Sequence, residues 1–103
     1  MSAELLRRAA AKMRENADAA TRGPWSVAHV DGQGFAVHHG EHDTVSLYSD
    51  RPNAEHIASW HPAVALAVAD WLDFIAPFCR FGDDDSLHAK HALAVARTYL
   101  GES

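Results

Sequence analysis

Apolar residues recur along residues 3–20 at the spacing of a helix face. Leu5, Ala9 and Met13 fall on one stripe, and Leu6, Ala10, Met13 and Ala17 fall on the neighbouring one. Arg7, Arg8, Lys12, Arg14 and Glu15 fall mainly outside both. Ser2 suits the N-cap, because its hydroxyl can accept from a first-turn N–H. The helix is expected to stop at Thr21-Arg22-Gly23-Pro24, where Gly suits the residue just past the last turn and Pro cannot continue it.

Residues 25–49 change to a period of two. Trp25, Val27 and His29 alternate with Ser26, Ala28 and Val30. Asp31-Gly32-Gln33-Gly34 is a turn signal with no helix behind it, so it reads as a hairpin and not as a phosphate loop. Phe35 and Val37 resume the alternation, residues 40–43 mark a second turn, and Val45 and Leu47 give a third strand. Short connections between three short strands predict an antiparallel meander, which needs helices against one face to be stable.

The helical period returns at residue 50, with Asp50 and Asn53 as competing caps. Ala54, Ile57, Ala58 and Trp60 suggest a short helix that ends before Pro62. Pro62 fits the first turn of another helix that runs to about residue 75. Val64, Val68, Trp71 and Ile75 form its stripe, and Ala63, Ala65, Leu66, Ala67 and Ala69 fill most other positions. A helix apolar on so many sides is either central or part of an interface. After Pro77, Gly82 and the acidic residues Asp83, Asp84 and Asp85, Ser86 can cap a last helix. Leu87, Leu93, Ala96 and Leu100 give that helix its face, and Gly101 closes it.

The fold expected is therefore α+β in the order α-β-β-β-α-α-α, with helices on one face of a three-stranded antiparallel sheet. Residues 1–103 fit a single domain. Trp25, Ile57, Val64, Val68, Trp71 and Leu93 are the expected core, and Trp60, Phe35, Phe74 and Phe78 add to the large apolar side chains.

Composition narrows the function classes. Fourteen acids against nine Lys and Arg leave a formal net charge of -5, a poor match to a phosphate backbone. The charge is uneven: residues 1–22 hold five basic and three acidic groups. Arg7, Arg8, Lys12 and Arg14 are the candidates for nucleic acid, but Glu4, Glu15 and Asp18 dilute the stripe. One cysteine excludes an internal disulfide and fits a reducing cytoplasm. No apolar run is long enough to span a membrane, and the charged N-terminus does not read as a signal peptide.

Eight histidines are the one compositional oddity. His38, His39 and His42 surround the second turn near Glu41 and Asp43, His88 and His91 share a helix face at i, i+3, and His56 and His61 flank the short helix. These are candidate ligands for zinc or another divalent metal, although no Cys pair or His-Glu-x-x-His motif supports them. Cys79 beside Arg80 is a candidate nucleophile, but a lone Cys next to Phe78 fits a packed thiol better. Asp70 and Asp73 could bind a cation or a hydroxylated substrate, or mark the wet edge of their helix. No catalytic residues and no cofactor are assigned.

The strings LLRRAAAKMRE (5–15), GPW (23–25), NAEHIA (53–58), HPAVALAVADWL (61–72) and ALAVARTYLGE (92–102) resemble small uncharacterised proteins of actinobacteria and their phages, and more loosely the Ead-type accessory proteins of phages. The resemblance covers the two ends and the middle. It implies a cytoplasmic, phage- or prophage-associated accessory protein and supplies no activity. The reading that follows is a non-enzymatic protein that binds another protein, or a second copy of itself as a dimer. The alternative is a small histidine-based metal-binding protein or metal-assisted enzyme.

Overall fold

A computed structural model describes residues 2–40, 43–79 and 87–102, without the side chains of Tyr48, Ser49, Leu87 and His88. In chain order its elements are α1 (Ser2–Ala19), β1 (Ser26–Val30), β2 (Gly34–His39), β3 (Asp43–Ser49), α2 (Arg51–Ser59), α3 (Pro62–Ile75), a 3-10 turn (Ala76–Phe78) and α4 (Leu87–Leu100). The α+β class, the antiparallel meander and the order of elements are those the periodicities predict. The chain divides into two compact units, residues 16–65 and residues 1–15 with 66–103.

In the first unit the strands lie in the order β1-β2-β3. The register pairs Val27 with Val37 and His29 with Phe35. Gln33 N–H donates to the Val30 carbonyl at 3.0 Å and closes the first hairpin. Gly32 sits inside that turn at φ 75°, a conformation that a residue with a Cβ adopts only at a cost. The pairing of β2 with β3 slips on either side of Val37, so β3 carries an irregularity against its partner. Helix α2 lies against all three strands. Its Ala54 and the sheet's Ala36 and Val37 are fully enclosed, and the small side chains allow helix and sheet to approach closely.

The cap of α2 is decided in favour of Asp50, whose carbonyl accepts from Ala54 N–H, with no bond from its side chain. Asn53 is exposed within the first turn. Phe35 has two neighbours at its ring: the His29 ring at 4.9 Å and the Arg51 guanidinium at 5.7 Å. Trp25 is half-buried and not a core residue. Its indole N–H donates to the Thr21 carbonyl at 2.9 Å, which ties the end of the connection to its start.

The second unit is helical. Leu6, Ala9, Ala10 and Met13 of α1, Ala69, Leu72 and Ile75 of α3, Ala76, and Ala89, Ala92, Leu93 and Ala96 of α4 form one enclosed apolar cluster. Seven of these twelve are Ala, five of them in α3, the turn and α4. Of the expected core, Leu93 is fully buried and Val68 packs on the cluster as a half-buried neighbour. Ile57 and Val64 are half-buried. Trp71 is a correction, since it stands exposed on α3. The register of α3 explains this: the residues it turns into the cluster are Ala69, Leu72 and Ile75, a stripe rotated from the one chosen by side-chain size.

Helix α4 ends as expected. Gly101 lies at φ 76°, its N–H donates to Thr98, and Glu102 N–H reaches back to Arg97 at 2.8 Å. That pair of bonds is a Schellman closure. The proposed cap Ser86 and the acidic run Asp83 to Asp85 lie outside the described residues.

Candidate functional site

The sequence places its candidate chemistry on histidines, and the fold spreads them. His38 and His39 are adjacent on β2 and therefore point to opposite faces of the sheet. His39 Nδ1 lies 3.1 Å from the Pro24 carbonyl, which gives that ring a structural contact. His56 and His91 are exposed on α2 and α4. His42 and Glu41 lie outside the described residues, as does the side chain of His88. Among the described residues no group of three or more His, Cys, Asp or Glu side chains is placed to hold a metal ion.

The carboxylates of α3 have a different partner from the one sought. Arg14 of α1 donates to Asp70 at 3.0 Å and to Asp73 at 2.6 Å. These hydrogen bonds, the one to Asp70 first, raise the Arg14 pKa above its usual value. The aspartates thus fasten α1 to α3. The basic stripe of α1 is occupied in the same way, with Arg8 bridged to Glu102 and Lys12 to Glu15 at 3.4 Å. Three of its four basic groups already hold carboxylates. Cys79 is half-buried beside the helical core, where a packed thiol was expected.

What the structure does bring together is apolar. On α3 and the turn after it, Leu66, Trp71, Phe74 and Phe78 remain 37%, 39%, 68% and 49% exposed. Ala67 is exposed beside them. Residues 67, 71 and 74 are four and three apart, which puts them along one side of α3. The Phe74 and Phe78 rings touch, with centroids 5.8 Å apart and planes tilted by 55°. Asp70 is the charged residue within the stripe, and Arg14 already holds it. Within the helical unit, Ala69, Leu72 and Ile75 of α3 are enclosed, while Leu66, Trp71 and Phe74 stay exposed.

Three half-open aromatic rings expose roughly 300 Å² in total, taking ~200 Å² for each whole side chain. A patch of that size, on the order of the largest found on soluble monomers, commonly marks a binding surface. The signal for it was present in the sequence as large aromatics at 71, 74 and 78, but size alone read them as core.

The chain shows no significant match to a protein-family model, to a curated protein or to a solved structure. Among the described residues no helix is long and apolar enough to cross a membrane.

Proposed function

We propose that this protein acts by binding protein and not by catalysis. The role is that of a cytoplasmic accessory factor of the phage or prophage kind its sequence resembles, and its own chain is among its partners. The observation that carries the reading is the open aromatic side of α3, with Trp71 and Phe74 on it and the Phe78 ring against Phe74. Water against such a row is released when a second apolar surface covers it, and aromatic side chains contribute heavily to protein interfaces. Arg14 partly offsets the charge of the carboxylates beside the row, which lowers the cost of desolvating them on docking.

The test is site-specific photocrosslinking in the producing cell. A photoreactive phenylalanine analogue at position 74 is compared with the same group at exposed Glu4 on α1. The expected result is a discrete protein adduct from position 74 and none from position 4. Equal or absent adducts at the two positions would overturn the proposal.

A further inference from the structure

We propose that the turn between β1 and β2 is a site of spontaneous backbone modification, at which Asp31 converts to isoaspartate through a cyclic imide with the Gly32 nitrogen and His29 supplies the proton. Such a reaction needs a reachable carboxyl, an amide nitrogen that is neither shielded nor hydrogen-bonded, room for the peptide plane to rotate, and a proton for the departing oxygen. Asp31-Gly32 is the one Asp-Gly or Asn-Gly pair in the sequence, and every other Asp or Asn is followed by a residue whose Cβ shields its amide. The Asp31 side chain is fully exposed. Among the described residues the turn is closed by the Gln33 N–H, and no backbone bond takes the Gly32 N–H. A Cβ at Gly32 would meet nothing within 4 Å, so the space over the nitrogen is open. Gly32 stands at φ 75° and tolerates either sign of φ, which lets the Asp31–Gly32 peptide plane rotate while the strands stay paired. His29 lies two residues back on β1, on the same side of the strand, and its Nδ1 is 3.6 Å from Asp31 Oδ1. The Phe35 ring, 4.9 Å away, steadies the imidazole there.

The chemistry closes without a co-reactant other than water. Protonated His29 gives its proton to the Asp31 carboxylate. The Gly32 nitrogen forms a bond to Cγ of Asp31 and loses its hydrogen, the Cγ–O bond breaks, and the oxygen leaves as water. Water then adds to the main-chain carbonyl carbon of the five-membered imide and breaks its bond to the Gly32 nitrogen. That nitrogen regains a hydrogen, and the carboxyl group so released returns a proton to His29. The mass of the chain is unchanged. The main chain now runs through the former side chain and is one methylene longer, with the carboxylate as a branch. A turn closed by the single Gln33 to Val30 bond does not keep its geometry around that insertion. The change therefore reaches the neighbouring pairs Val30 with Gly34 and His29 with Phe35.

The test is ageing of the folded full chain in neutral buffer at body temperature over several weeks. Isoaspartate is counted by methyl transfer with an isoaspartyl methyltransferase and placed by backbone fragmentation in the mass spectrometer. The expected result is isoaspartate building up at position 31 ahead of every other Asp, with the chain mass constant. The isomerised fraction should also show faster hydrogen exchange at the Gln33 amide, whose bond to Val30 is lost. Asp31→Glu would need a six-membered ring and should abolish the signal at that position. His29→Phe keeps a ring against Phe35 without a proton to give, and should slow accumulation at least ~5-fold, a small part of what a well-placed general acid contributes. Melting curves confirm that both variants stay folded. No isoaspartate at position 31, equal accumulation at other aspartates, an unchanged rate in His29→Phe, or unchanged exchange at Gln33 would each overturn the proposal.

Discussion

Gly23 lies so close to His61 that a Cβ on it would fall 2.7 Å from Nδ1 of the imidazole and within 3.3 Å of the root of that side chain. His61 stands just before Pro62, and its carbonyl accepts from Val64 and Ala65 at the start of α3. Its Nδ1 is enclosed and has no hydrogen-bond partner among the described residues. The glycine is therefore required by space. It does not have the left-handed φ of a helix stop, and α1 ends four residues before it.

Gly23→Ala is expected to destabilise the fold by about 1–3 kcal/mol, the usual cost of forcing a group into a filled site. Urea denaturation measures it. Because the clash is with the histidine, adding His61→Ala should recover part of the loss, and the two changes should not be additive. Additive losses would place the strain elsewhere.

Neighbouring positions on α3 should respond very differently. Leu72 is fully enclosed in the helical core, so Leu72→Ala is expected to cost about 2–5 kcal/mol. Phe74 points outward, so Phe74→Ser should change monomer stability by no more than about 1 kcal/mol. Thermal melts of the two variants at low protein concentration make the comparison. Similar losses would mean that α3 is rotated from the register described.

Arg14 joins α1 to α3 through two half-exposed ion pairs. Arg14→Met keeps most of the stem and should cost about 1 kcal/mol in dilute buffer and less in high salt. The sign of the pH effect follows from the raised pKa. The guanidinium contributes below its unfolded pKa and is lost only as pH rises through the still higher folded value. Its own titration therefore adds no pH dependence near neutrality. Melting of wild type and variant at two salt concentrations checks both points.

Gly101 has open space around it, so a substitution there meets only the backbone. At φ 76° Gly101→Ala should lose about 1–2 kcal/mol, with Asn in the same place losing less. Hydrogen exchange should show the change first at the Thr98–Gly101 and Arg97–Glu102 amide bonds of the closure.

The sequence by itself determined the elements. The change from a helical period to a period of two at residue 25 and back at residue 50 places the meander. Pro62 and Gly101 fix one helix start and one helix end, because their backbone preferences are local and nearby residues suffice to express them. The direction in which each apolar stripe faces was decided by the tertiary structure. On α3 almost every position is apolar, so the pattern holds no contrast from which to choose an inner side. In the folded helical unit Ala69 and Leu72 of α3 are enclosed with residues of α1 and α4, and Trp71 and Phe74 stay outside. Likewise, the sequence could show that Arg14, Asp70 and Asp73 carry charge, but only folding brought residues more than fifty positions apart within hydrogen-bond distance. Short-range conformational preference is written in neighbouring residues; which surfaces meet depends on packing between segments distant in the chain, and that is where the candidate binding face was made.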